Sequence, residues 1–434
     1  MAWMTAAEAL EVLQVRPQTL YANVSRGKVR ARPDERDPRR SLYHRDDVLR
    51  MARRSNGRRK VDAVSAQAMQ YGDPVLATAL STAAGGRLLY RGLDAADLSN
   101  TATLEDIAAL LWDCDAQIVR AGTADCANVR TPSGSSTQQL SPDSASYPPA
   151  PDSAMPKSPP RSALAAGLLA LAERSASDAP SLVRPVAQLQ VEAAGLLGTV
   201  AAALIGQAAG EVARPTDGQV HQPPDETPGK PAIATSASIS TNLAHAWHCA
   251  AHEDLLRRAL VLMADHELNA STFATRVAIS TGASLASGLL AGLATLTGPL
   301  HGGAPAQLAQ LLTLAEQYGA AQAVRQWLAS GRALPGFGHP LYPEGDPRAA
   351  ALRPLLPEDS LYTALAGAAR EQAGELPSID FALALLASTC RLPPDAPFIL
   401  FALGRCVGWL AHALEQVQTG QLIRPRARYV GPKY

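Results

Sequence analysis

The sequence predicts an all-α fold, and three observations predict it. Apolar residues make up 47% of the chain and aromatic residues only 5%, so the core must be filled mainly by Ala and Leu, which lose little rotamer freedom in a helix. Helical periodicity recurs along the second half, while β-branched and aromatic strand formers are scarce. Two uncharged runs, residues 193–210 and 277–300, are as long as a bilayer core requires but rich in Ala, Gly, Ser and Thr, which suits buried core helices better than membrane spans. At 434 residues the chain has room for two or three domains.

Residues 3–54 read as one unit: TAAEALEVL has helical periodicity, VRPQTLYANVSRGKV supplies a turn and a second helix, and SLYHRDDVLRMARR a third. Residues 1–60 hold 15 Lys and Arg against 7 Asp and Glu, a net of +8, so the remainder carries −8 in a chain of zero formal charge. Any nucleic-acid contact therefore belongs to the front end. This segment resembles the MerR/excisionase type of winged helix-turn-helix. The resemblance implies that residues 18–25 present Gln18, Thr19, Tyr21 and Asn23 to a groove, with Arg26, Lys28 and Arg30 on phosphates. A docking or dimerisation module fits the same pattern.

After the basic linker SNGRRKVDA, the main body opens with Gly85 and Gly86 marking a turn between two short extended pieces. Thr103 to Glu105 cap a helix that runs to Trp112. Residues 121–161, crowded with Ser, Pro, Thr and Gly, read as a disordered insertion. A second loop, ARPTDGQVHQPPDETPGKPA, interrupts the body near residue 220. The five scattered cysteines lack CxxC spacing, against a disulfide framework or zinc site. No signal-peptide layout opens the chain. The expectation is a cytoplasmic protein with no membrane segment.

Three stretches hold most of the informative side chains. In ADHELNASTFATR, His266 stands between Asp265 and Glu267, a pattern that also suits a solvated helix face. In GPLHGGAPAQ, Gly298 and Pro299 end one helix, His301 follows in a glycine-lined turn, and Ala304 and Pro305 start the next. The dipole of that helix should keep His301 neutral and able to donate a hydrogen bond, although a plain tight turn needs no such role. In GFGHPLYPEGDPRA, His339 and Arg348 share a Gly/Pro-rich loop suited to holding a carbonyl-polarising His and a carboxylate-binding Arg. Further on come Asp380, the lone carboxylate of an apolar stretch and expected to stay ionised in the first turn of a helix capped by Ser378, then Arg405 and Arg424. His245, His248 and His252 have a spacing that puts them on one helix face; without a nearby Cys, no metal site is expected.

ADHELNAST, GPLHGGA, GFGH with DPRA, IDF, GR-VGW-AH and a terminal RPR-R-Y occur in that order. The arrangement resembles the citrate synthase family over about residues 75–434. The resemblance implies large and small helical domains over 70–434, the small one at about 305–400, preceded by the 1–60 module. It implies condensation of acetyl-coenzyme A with oxaloacetate in a homodimer that needs no cofactor beyond its thioester co-substrate. His301 would hydrogen-bond the thioester carbonyl, Asp380 remove the α-proton and His339 polarise the ketone. His266, Arg348 and Arg405 would bind oxaloacetate, with Arg424 reaching across from the second subunit. Two positions depart from the family's pattern: Met263 stands where a His is common, and Pro343 where a basic residue helps hold the phosphates of coenzyme A. Alternative readings are a 2-methylcitrate synthase using propionyl-coenzyme A and a metabolite-sensing, DNA-binding regulator.

Overall fold

The computed structural model describes residues 3–13, 17–25, 28–34, 37, 41–45, 47–48, 76–125, 162–212, 237–427, 429 and 431–432. Two units emerge, Met1–Ala77 and Thr78–Tyr434.

In the first unit, β1 (Trp3–Met4) leads into α1 (Ala6–Leu13), α2 (Pro17–Ser25), β2 (Ala31–Pro33) and β3 (Ser41–His44). Thr5 and Glu8 start α1 with a reciprocal cap: the Thr5 N–H donates to the Glu8 carboxylate (2.7 Å) and the Glu8 N–H to Thr5 Oγ1 (3.4 Å). The strands form an antiparallel sheet in the order β1-β3-β2. The stretch from Ser41, expected as helix, therefore begins as the central strand. Tyr43 drops into a small core with Ala9, Leu13, Leu20, Val29 and Val48. Arg30 is forked onto Asp47, Nε to Oδ2 at 2.7 Å and Nη2 to Oδ1 at 3.1 Å.

The second unit opens with the hairpin β4 (Ser81–Ala84) and β5 (Arg87–Tyr90), to which β6 (Leu93–Asp94) adds a short third strand. Gly85 and Gly86 both adopt positive φ, 58° and 72°, as a two-residue hairpin turn of the twist-compatible type requires. Helices follow: α3 (Ala95–Leu98), α4 (Leu104–Trp112), α5 (Ala116–Asp125), α6 (Ala163–Ser177), α7 (Val186–Val212), α8 (Ile239–Ala246), α9 (Glu253–Met263), α10 (Ala270–Ser280) and α11 (Leu285–Leu296). Then come α12 (Ala304–Tyr318), α13 (Ala320–Ala329), α14 (Pro347–Leu352), α15 (Ser360–Ala373), α16 (Ile379–Thr389) and α17 (Ala396–Thr419). Thr103 caps α4 through a box completed by Asp106. The expected insertion at 121–161 begins too early, because residues 121–125 complete α5; the rest of it, and the loop at 213–232, lie outside the described residues.

Helix α17 is the axis of this unit, buried along nearly its whole length and packed against α4, α7, α9, α10 and α11. Its glycines permit the approach: a Cβ at Gly404 would stand 2.7 Å from Met263 Cβ and 2.8 Å from the Leu260 carbonyl, and one at Gly408 would overlap Asp265 Oδ1. Helices α12 to α16 pack chiefly on one another and meet the rest mainly through α14 against α9, α3 and β5 and α16 against α17. Among the described residues, two helices are long and apolar enough to span a bilayer, Val186–Gly206 and Ala396–Thr419, and 61% and 89% of those windows are buried in protein. Residues 277–300 are not one helix: Gly282 turns at φ 85° and Ser284 caps a new start. Nor do the three histidines share a helix face. His245 ends α8, His248 turns at φ 52°, and His252 precedes α9.

Candidate active site

His266 lies in the loop between α9 and α10 rather than on a helix, because Glu267 adopts φ 52° and Asn269 caps α10. Both carboxylates beside it are used to hold that loop. Glu267 accepts from Ala83 N and, at 3.1 Å, from Thr82 Oγ1 of the hairpin. Asp265, fully buried, accepts from Ser81 Oγ and from His412 Nε2 at 3.2 Å. Burial opposes the Asp265 charge, but His412, Arg405 and Ser81 together outweigh it and hold the carboxyl below its usual range. His412 in turn meets Arg276 (3.3 Å), which is bonded to Gln416 (2.9 Å) and Glu415 (2.6 Å). A buried polar chain thus runs from α17 to the loop carrying His266.

His301 occupies the turn between α11 and α12, as expected. Gly302 and Gly303 are needed there for close approach, since a Cβ on either would strike the carbonyl of Leu296 or, at 2.6 Å, of Pro299. His301 Nε2 lies 2.8 Å from Ser271 Oγ, which also accepts from Trp409 Nε1 (3.0 Å) and donates to Asn269 Oδ1 (2.7 Å). Its pKa is lowered to about 4 by burial first and Arg405 second. The ring is neutral at pH 7, and burial and a neighbouring cation account for it.

His339 sits at the head of the Gly/Pro loop, its pKa also lowered to about 4 by burial and then Arg348. The Leu341 N–H donates to His339 Nδ1 (3.2 Å). A backbone N–H can only donate, so the ring proton is on Nε2. His339 and His266 meet edge to face, centroids 4.9 Å apart, and His266 Nε2 is 3.0 Å from the Tyr342 hydroxyl. Burial, then Arg348, Arg405 and His339, keep His266 well below its ordinary pKa.

Arg348 is at the start of α14, where Asp346 is the N-cap. Asp346 accepts from Arg348 N (3.0 Å), Nε (2.9 Å) and Nη2 (2.8 Å), and from the Ile379 N–H (2.9 Å) at the head of α16. One buried carboxylate therefore ties the arginine to the helix that carries Asp380. Burial works against the Arg348 charge, yet Asp346 prevails and its pKa rises. Ser378 holds the N-cap position of α16 but makes no side-chain cap bond. Burial, opposed by Arg348, pushes Asp380 up to about 6, so it is roughly 90% ionised at pH 7.

Arg405, only 1% exposed, donates from Nε to the Met263 carbonyl (3.1 Å) and packs 4.9 Å from the Phe401 ring centroid. Its terminal amines are hydrogen-bonded to no described residue. Burial lowers its pKa to about 10 against the pull of Asp265; it stays charged at pH 7. Electrostatically, Arg405 reaches His266, His301, His339 and Asp380. The fold thus assembles six of the seven expected residues. Arg424 stands apart, exposed on the segment after α17, where the Ile423 N–H is held by Ser280 Oγ at 3.1 Å.

Sequence reasoning missed Asp346, Ser271 and Tyr342. Asp346 carried a readable signal, a carboxylate just before the first-turn Pro347; the other two act on partners far away in the chain. No group of three or more His, Cys, Asp or Glu among the described residues could hold a metal. A cavity of about 380 Å³ lined by Ala79, Ser81, Leu89 and Arg91 lies by the hairpin, but Arg91 is spent on the Leu111 carbonyl (2.9 Å).

A helical body with three neutral imidazoles, two buried guanidinium groups and one raised carboxylate is the kind of frame that binds a small anion beside an acid-base pair. The family model "Citrate synthase, C-terminal domain" matches residues 68–426, and the chain belongs to the citrate synthase family. It is 37% identical over 193 residues to citrate synthase 2 of Bacillus subtilis, covering 41% of this chain and 51% of that protein. It is 40% identical over 187 residues to a citrate synthase of Haloferax volcanii, covering 40% and 49%. These matches span about half the length of the curated relatives. The fold superposes with TM-score 0.60 and 25% identity on a Thermoplasma acidophilum citrate synthase solved as a ternary complex with carboxymethyl coenzyme A and oxaloacetate, covering 83% of this chain and 95% of that one.

Proposed function

We propose that this chain condenses acetyl-coenzyme A with oxaloacetate to give citrate and coenzyme A, without a cofactor. Asp380 removes a proton from the α-carbon while His301 donates from Nδ1 to the thioester carbonyl oxygen as it gains charge, the Ser271 hydroxyl turning from Asn269 to Nε2 so that the ring proton sits on Nδ1, and an enolate forms. His339 presents its Nε2–H to the ketone of oxaloacetate, the enolate carbon bonds to the ketone carbon, and the ketone oxygen takes up the proton that Asp380 had removed. Water then hydrolyses the citryl thioester. His266, Arg348 and Arg405 hold the carboxylates, because a dianion needs guanidinium groups that cannot lose their protons. Arg424 completes the pocket of a second subunit in a homodimer. The group α12 to α16, roughly the expected small domain, closes over the rest to exclude water. The observation that carries this reading is Arg405: a buried cation with unbonded terminal amines, amid neutral imidazoles and a base of about 6. A cytoplasmic enzyme of the tricarboxylic acid cycle fits that chemistry.

The test is release of free thiol by the purified protein given oxaloacetate and either acetyl- or propionyl-coenzyme A. Release that requires both substrates is expected, and the faster thioester distinguishes citrate from 2-methylcitrate synthesis. No turnover with either thioester would overturn the reading. The net +8 of residues 1–60, with helices α1 and α2 and a three-stranded antiparallel sheet among the described residues of that unit, supports a second one, a winged helix-turn-helix that binds DNA. Saturable DNA binding that weakens steeply with salt is its signature.

A further inference from the structure

We propose that Tyr342 is a positioning residue for the oxaloacetate-binding pocket: its hydroxyl donates to Nε2 of His266 and keeps that ring's proton on Nδ1, the nitrogen left for a bound carboxylate or ketone oxygen. The proposal rests on the function proposed above and adds a residue to it. Tyr342 is only 2% exposed. Its ring lies 5.5 Å from that of His266 and 5.0 Å from that of His339, with the Arg348 guanidinium carbon 5.8 Å from its centroid. Its backbone is pinned on both sides, Tyr342 N to the His339 carbonyl (2.8 Å) and Gly345 N to the Tyr342 carbonyl (3.0 Å). The hydroxyl is therefore held by the same loop that carries His339 and leads into Asp346 and Arg348.

A neutral imidazole has one donor and one acceptor nitrogen. Burial, and then Arg348 and Arg405 beside it, keep the His266 ring neutral. Its Nδ1 is bonded to no described residue, while Nε2 faces Tyr342. Were the proton on Nε2, Nδ1 would turn a lone pair toward the anion that the two guanidinium groups attract; with the phenol donating to Nε2, Nδ1 offers that anion a hydrogen bond instead. His339 has its tautomer set by its own backbone through Leu341 N. Among the described residues, His266 has Tyr342 alone for the purpose.

The experiment uses the full chain with ¹⁵N-labelled histidine, the His266 signals being assigned by their loss in His266→Gln. In the wild type, Nδ1 should be protonated and Nε2 not; in Tyr342→Phe, which keeps the ring, that preference should collapse. The KM for oxaloacetate should rise roughly tenfold, while kcat and the KM for the thioester stay within about threefold. Tyr342→Leu serves as the packing control, and the Phe variant should melt well above it. A wild-type proton on Nε2, or a Phe variant with unaltered tautomer, would overturn the proposal, as would equal change in kcat and both KM values. If the wild type does not use oxaloacetate at all, the functional reading fails while the nitrogen spectra still decide the tautomer.

Discussion

Arg348, at the start of α14, and Arg405, in the middle of α17, bring the same charge into the same cluster and are held in opposite ways. Arg348 is locked in a fork with Asp346, whose remaining bond fixes the head of α16. Among the described residues Arg405 meets a carbonyl and an aromatic face, with Asp265 attracting it from further off. The first is spent mostly on holding structure, and the second keeps its terminal amines available for an anion. A buried charge already paired resists loss, whereas one left underpaired is stabilised when its ligand arrives.

The largest effect should come from the base both arginines face. Asp380→Asn is expected to lower kcat by roughly 10²- to 10⁴-fold with oxaloacetate affinity, measured by calorimetry, changed only a few-fold; an equal loss of both would assign Asp380 to binding. Because the folded pKa of about 6 lies above the ordinary 3.8, the ionised form is the disfavoured one. The cost of burying it is fully present above pH 6 and disappears below the unfolded pKa. Asp380→Asn should thus raise stability by on the order of 3 kcal/mol at pH 7 and by nothing near pH 3. The wild-type rate should fall about tenfold per pH unit below 6, since the imidazoles titrate only near 4.

Exchanging the arginines sharpens the contrast itself. Arg348→Ala leaves Asp346 buried without its partner and should cost about 3–5 kcal/mol in a denaturant melt. Arg405→Met orphans no carboxylate and should cost under about 1 kcal/mol, while raising the KM for oxaloacetate roughly 100-fold. Similar melts for the two would break the comparison. The smallest effect belongs to the loop after His339, where Pro343 and Glu344 are exposed and no cation stands. Pro343→Lys should lower the KM for the thioester a few-fold at low salt, a gain that fades near 1 M salt as screening sets in.

Much of this was legible because local chemistry dictated it. Paired glycines made the hairpin at Gly85, Thr103 capped its helix, and glycine and proline bracketed His301. Misreadings arose where a local pattern met a competing tertiary demand. Ser41–His44 pairs on both sides as a strand because Tyr43 fills a core, and the three histidines lose their common face where His248 turns. The role of Tyr342 was out of reach, since nothing near it in sequence points to a histidine 76 positions away.

Taken alone, the sequence determined which side chains could do chemistry and the order in which they come, since residue type, capping and turn geometry depend on near neighbours. Only the tertiary structure decided their protonation and which of them stand together. A pKa near 4 for His301, one near 6 for Asp380, and the difference between Arg348 and Arg405 arise from burial and from charges delivered by distant helices, and these energies depend on distance in space rather than along the chain.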